Sequence, residues 1–106
     1  MILHRLTIGF IILSTAVGAA AQDRIVGIPS VIDGDSLEIH GRRIRLFGID
    51  APESSQLCVR PTGELWLCGQ QASFALADRI GRAVVTCQPR DLDRYDRVVA
   101  VCFKGN

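Results

Sequence analysis

The sequence predicts a mainly β domain with one helix, a small barrel of five strands in the order β-β-β-α-β-β. Three observations carry this expectation. Apolar stretches of strand length recur between turn residues, one stretch shows helical spacing, and glycine or proline stands at the junctions. At 106 residues the chain has room for one domain.

The elements follow in order. Ile25 to Ile32 is apolar with Pro29 inside, which suits a bulged or edge first strand. Ser36 to His40 alternates, with Leu37 and Ile39 on one face against Glu38 and His40 on the other. A turn near Gly41-Arg42 leads into a partner strand over Arg43 to Ile49, which Ala51-Pro52 ends because proline cannot donate to a ladder. Glu53 to Gly63 reads as a loop. From Cys68 to Ile80 the spacing of Ala72, Ala75, Leu76 and Ile80 is helical, and Gly81 is placed to stop the helix. Trp66 and Leu65 before it read as packing. Ala83 to Cys87 is a β-branched strand, Gln88 to Arg94 a polar connection and Val98 to Phe103 the last strand. Three strands, a helix and two strands is the order of an OB-type barrel, which lets a small antiparallel chain hide its edges.

The first 21 residues stand apart. A basic start through Arg5, a charge-free apolar run from Leu6 to Val17 and Ala19-Ala20-Ala21 read as a secretory leader, with cleavage expected after Ala21. The run is shorter than the roughly 20 residues a spanning helix needs, so no lasting membrane association is expected. The domain then occupies 22–106, exported to the periplasm or beyond the cell and expected to be monomeric. Without Arg5 the basic and acidic residues are equal at eleven each, so polyanion binding has to come from arginines gathered at one place. Lys104 is the sole lysine. All four cysteines, Cys58, Cys68, Cys87 and Cys102, lie in the mature part, which favours disulfides in an exported small domain. Of three possible pairings, Cys58 with Cys68 and Cys87 with Cys102 are expected, one closing a loop and one tying neighbouring strands. Zinc is the rival, but no C-x-x-C pair is present.

Two acidic segments point to chemistry. Ile32-Asp33-Gly34-Asp35-Ser36 and Arg45-Leu46-Phe47-Gly48-Ile49-Asp50-Ala51-Pro52-Glu53 place four carboxylates and an arginine at the ends of adjacent strands. Clustered carboxylates repel unless a cation or proton sits among them. An arginine beside them suits a phosphate. The competing readings are ordinary: a surface turn at Asp33-Gly34-Asp35, an exposed pair of Arg45 with Glu38, a pair of Arg97 with Asp93 or Asp96, and half-buried packing for Tyr95. His40 is expected to be exposed and without a role, and Phe74 to be core or a partly exposed cover.

These segments, together with Asp93-Arg94-Tyr95-Asp96-Arg97-Val98-Val99-Ala100 and Cys68-Gly69-Gln70-Gln71-Ala72, resemble the signatures of the thermonuclease, or staphylococcal nuclease-like, family. The resemblance spans Ile25 to Cys102. It implies a calcium-dependent nuclease on an OB fold, cutting DNA or RNA with little sequence preference. Asp35 and Asp50 would be the calcium carboxylates and Ala51 would lend its carbonyl. Glu53 would be the general base or orient the attacking water, Arg45 and Arg97 would hold the phosphate, and Tyr95 would lie against the nucleotide. Calcium favours such hard oxygens with water completing the shell. The alternative is a catalytically silent OB domain that binds single-stranded nucleic acid or a partner protein.

Three features of the sequence test that resemblance. Strict alternation puts Arg45 and Asp50 on opposite faces, so they converge only where the strand bends or ends, and Gly48 is the place for it. The family's glycine between the tyrosine and the arginine is Asp96 here, a residue that tolerates positive φ better than most. Family members continue into one or two helices after the last strand. The sequence stops at Asn106, and the expectation is a domain without those helices, with apolar barrel surface exposed.

Overall fold

The computed structural model describes residues 23–105 together with Gly9 and Ile11. Apart from those two positions, the leader expected over residues 1–21 lies outside the described residues. No helix among the described residues is long and apolar enough to cross a membrane.

The fold is mainly β with a single helix. Strands β1 (Ile25–Gly27), β2 (Ser30–Asp33), β3 (Ser36–Ile39) and β4 (Arg42–Leu46) come first. A short hairpin of β5 (Cys58–Val59) and β6 (Leu65–Trp66) precedes α1 (Cys68–Ile80), and β7 (Val85–Leu92) and β8 (Val98–Lys104) close the chain. Six strands form one sheet in the order β1-β7-β8-β4-β3-β2, with β5 and β6 paired separately. All pairs are antiparallel except β4 with β8.

The sheet is open and has six strands, where a barrel of five was expected. The expected first strand is split at Ile28-Pro29, where proline has no N–H for a ladder. Its two halves pair with different partners, β1 with β7 and β2 with β3, and so lie at opposite ends of an open sheet. Three boundaries also move. The expected polar connection Gln88 to Arg94 is mostly strand, because β7 runs on to Leu92 through an irregularity between Pro89 and Asp91. The strand expected to reach Ile49 ends at Leu46. The turn between β3 and β4 falls at His40 and Gly41, both with positive φ (50° and 77°), the backbone twist that tight hairpins favour.

Alternation sorts the side chains as the pattern predicts. Leu37, Ile39, Ile44, Leu46, Val98 and Ala100 face a core that also takes in Ile25, Val85 and Cys87. Burying each large aliphatic contributes about 1.5–3 kcal/mol. The helix covers one end through Ile80 and half-buried Leu76, whereas Ala75 of the expected apolar stripe is exposed. Gly81 follows with φ 60° and donates its N–H to the Ala77 carbonyl. Leu65 and Phe74 are exposed, and Trp66 is half-buried under the Arg60 guanidinium at 5.0 Å. Phe47, Ile49 and Phe103 are also exposed and border an apolar groove of about 590 Å³ that reaches down to Leu37 and Ile80.

Both expected disulfides are present. Cys58–Cys68 joins the short hairpin to the start of α1, and Cys87–Cys102 links directly paired residues of β7 and β8. Replacing Cys87 and Cys102 together by alanine should lower stability by about 3 kcal/mol, from the loop-closure entropy of a crosslink of this span. Urea unfolding of the oxidised parent and the double variant measures it.

Candidate active site

The site begins with one buried carboxylate. Asp35 sits in the turn between β2 and β3 and is only 4% exposed. Its Oδ1 accepts from the Ser36 hydroxyl at 2.8 Å. Its Oδ2 accepts from Arg45 Nη1 at 2.8 Å and from the Ala51 N–H at 3.0 Å. Burial pushes the Asp35 carboxyl up, but the bonds from Ala51, Ser36 and Arg45 outweigh it and hold it below the ordinary carboxylate value. The Asp35 hydrogen bond in turn holds the Arg45 guanidinium above its ordinary value. The turn is tight. A Cβ on Gly34 would stand 2.8 Å from the Ala72 Cβ and 2.9 Å from the Ala51 Cβ, so a side chain there would separate the turn from the helix and the loop it touches.

Asp50 reaches the same guanidinium. Because β4 ends at Leu46 and Gly48 has φ 73°, Asp50 is off the strand and its alternation no longer applies. Arg45 Nη2 donates to the Ile49 carbonyl at 3.2 Å and lies 3.5 Å from Asp50 Oδ1. Arg45 is directly opposite Ser36, and Glu38 is opposite Arg43, so the Arg45–Glu38 pair is replaced by pairs with Asp35 and Asp50. The chain then passes half-buried Ala51 and Pro52 to Glu53, whose side chain is exposed.

The β7–β8 turn carries the remaining residues. Arg97 donates its Nε to Asp93 Oδ2 at 2.7 Å, while Asp93 Oδ1 accepts the N–H groups of Tyr95 and Arg97, each at 2.9 Å. Of the competing pairs for Arg97, Asp93 is the one formed. Burial raises the Asp93 carboxyl, and the Arg97 and Tyr95 N–H groups with the Arg97 side chain lower it by more. Asp96 has φ 60°, the conformation a glycine would take without strain. Tyr95 is exposed rather than packed, with the Arg94 and Arg97 guanidiniums 5.7 and 5.5 Å from its ring centre. Arg45 is directly opposite Val99, and Arg97 lies two residues before Val99, so alternation sets both arginines on the face away from the core.

Among the described residues, no three His, Cys, Asp or Glu side chains gather closely enough to ligate an ion. The carboxylates that share a position are Asp35 and Asp50, held by two nitrogens of one guanidinium. Arg45 thus stands as the cation between them, and the donors beside it are hard oxygens. Carboxylate oxygens are the donor type a hard divalent ion favours, and the Ala51 main chain meets them here through its N–H on Asp35. Sequence reasoning had Asp33 in the acidic segment and Asp93 as a possible partner of Arg97, but gave no role to Ser54, which donates its N–H to Asp33, or to Ser73, whose hydroxyl lies 2.9 Å from that of Ser54. Asp93 was visible as the first residue of its signature. Ser54 had no signal beyond its place next to Glu53.

Comparison with known proteins bears on the same residues. A model of the family described as "Staphylococcal nuclease homologue" matches residues 43–106, which takes in Arg45, Asp50, Glu53, Tyr95 and Arg97, with Asp35 lying before it. The chain is 39% identical over 89 residues to the succinoglycan biosynthesis protein ExoI of Rhizobium meliloti (strain 1021), covering 83% of this chain and 47% of that protein. It is 31% identical over 99 residues to the micrococcal nuclease of Shigella flexneri, covering 80% of this chain and 51% of that protein. The chain therefore spans about half the length of these curated relatives. No solved structure matches it significantly.

The lowered carboxyls of Asp35 and Asp93 predict the sign of acid sensitivity. Each contributes stability that is complete above the unfolded carboxylate value of about 3.9 and is lost as pH falls through its lower folded value. Asp35→Asn should flatten the fall in stability below pH ~4 while lowering stability at pH 7. Urea midpoints measured from pH 7 down to pH 2.5 read both effects.

Proposed function

Since this chain belongs to the staphylococcal nuclease homologue family, we propose that it is a calcium-dependent nuclease that hydrolyses phosphodiester bonds in DNA or RNA with low sequence specificity. The observation that carries this reading is the sharing of Arg45 by Asp35 and Asp50, three residues before an exposed glutamate. Asp35, Asp50 and the Ala51 carbonyl would hold the ion. When bound, calcium would polarise the phosphoryl group and offset its developing charge.

The chain's own residues account for the rest. Arg45 would keep Nη1 on buried Asp35 and exchange its long contact with exposed Asp50 for a phosphate oxygen, since such surface pairs are worth ~0–1 kcal/mol. Arg97 is held through Nε, so its two terminal nitrogens would meet the phosphate in a bidentate fork. Both would bind the extra negative charge of the transition state more strongly than the ground state. Glu53 would take a proton from water as its oxygen attacks phosphorus. The ester P–O bond then breaks and the leaving oxygen takes a proton from solvent. Tyr95, exposed and flanked by arginines, would lie against the nucleotide.

Counted as one bent strand, β1 and β2 would bring the six strands to the five of an OB-type barrel, with the site on its face. Two disulfides suit an exported protein in an oxidising compartment. The second reading, a silent domain that binds single-stranded nucleic acid, is favoured by one feature: both arginines are already paired with carboxylates.

The test is cutting of denatured DNA with calcium and with a chelator. Calcium should support cutting and the chelator should stop it, and chelator-resistant cutting would reject the ion's role. Glu53→Gln should lower kcat by about 10²–10⁴-fold with metal affinity intact, whereas Asp50→Asn should weaken calcium binding in calorimetry. Calcium binding without any cutting would favour the silent domain.

A further inference from the structure

We infer that Asp33 is a positioning residue for Glu53, acting through Ser54, and that it does so as a hydrogen-bond acceptor rather than as a charge. The inference rests on the reading of Glu53 given above. Asp33 Oδ1 accepts the Ser54 N–H at 2.7 Å and lies 2.7 Å from the Ser54 hydroxyl. That hydroxyl also touches the Ile32 carbonyl and sits 2.9 Å from the Ser73 hydroxyl on α1, which donates to the Gly69 carbonyl at 3.1 Å. The residue directly after Glu53 is thereby tied to the end of β2 and to the second turn of the helix.

The Glu53 main chain is fixed independently from its other side. Gly69 packs so closely on the Glu53 carbonyl that a Cβ there would overlap it. The same carbonyl accepts the Gln56 N–H at 2.8 Å, and the Gln56 carbonyl accepts the Gly69 N–H at 3.1 Å. Glu53 thus has an exposed side chain on an immobilised backbone. An exposed carboxylate keeps its access to water, and the direction of its Cα–Cβ bond is set by its neighbours. A displacement of about 1 Å at a reacting group costs on the order of 10²-fold in rate.

The bonds also say which property of Asp33 is used. Its partners are a main-chain N–H and a hydroxyl, both neutral, and no cation pairs with it among the described residues. Asparagine presents the same Oδ1 without the charge. The two properties therefore separate in a pair of variants.

The experiment measures kcat, KM and calcium affinity for the full chain and for Asp33→Ala, Asp33→Asn and Glu53→Gln, together with hydrogen exchange at the Ser54 amide. Asp33→Ala should lower kcat by about 10²-fold, leave KM and calcium affinity within about twofold, and expose the Ser54 amide to exchange. Asp33→Asn should retain kcat within a few-fold and keep that amide protected. An Asp33→Asn variant as slow as Asp33→Ala, or with weakened calcium affinity, would overturn the inference, because the charge would then be what matters. Full kcat in Asp33→Ala with Glu53→Gln inactive would also overturn it and leave the role of Glu53 standing. Wild-type rate in Glu53→Gln would instead remove the reading beneath it. If Asp33→Ala does not fold, Ser54→Ala serves, with a smaller loss of kcat at unchanged KM expected and an unchanged kcat counting against the tether.

Discussion

One buried charge organises this molecule. The Asp35 carboxylate is almost fully removed from water, and its cost is offset only if donors are brought to it. Three arrive from different parts of the chain: the adjacent Ser36 hydroxyl, Arg45 on β4, and the Ala51 N–H in the loop beyond. Taking away one partner leaves a buried acceptor unsatisfied, at a cost of about 1–3 kcal/mol or more for a charged group. That constraint fixes the register of β3 on β4, with Ser36 opposite Arg45, and draws the loop after β4 back over the β2–β3 turn. Gly34 lets the turn come close enough for this to happen.

Much of this was legible in the residues. The span of α1 followed from three-and-four spacing and a closing glycine, and the disulfides from strand neighbourhood and loop length. The convergence of Arg45 and Asp50 was legible as well, through the need for a break near Gly48. What was hidden depends on pairing between distant segments. Nothing local to Ile25 to Ile32 says that its halves serve opposite ends of a sheet. Nothing in Gln88-Pro89-Arg90-Asp91-Leu92 says strand, because its order is imposed by β8 through an irregular ladder. The partner of Arg45 was open to misreading for the same reason, since Asp35 precedes β3 and only the fold turns it inward.

The charge arrangement has its own logic. With basic and acidic residues nearly balanced, attraction for a polyanion is local or absent. Arg45 and Arg97, both on the outward face, are each clamped by a carboxylate, Arg45 by Asp35 and Arg97 by Asp93. Such clamps reduce net positive charge, yet they restrict the guanidinium to one orientation and leave part of its fork outward. Orientation is gained at the expense of long-range attraction, which suits recognition of one phosphate better than a long polyanionic tract.

The open sheet carries a consequence for the order in which the molecule assembles. Ile25 pairs with Cys87, and Ile44 lies parallel to Val98, so the earliest strands find half their partners only in the last third of the chain. Contacts this distant must meet the entropy of closing long loops before they are rewarded. The β3–β4 hairpin and the β7–β8 hairpin are local and can form on their own. Joining them through the β4–β8 ladder is the non-local event, and the Asp35–Arg45 pair is complete on one side of that junction before it happens. A nascent chain would therefore have its acidic centre assembled while still waiting for its final strands to arrive.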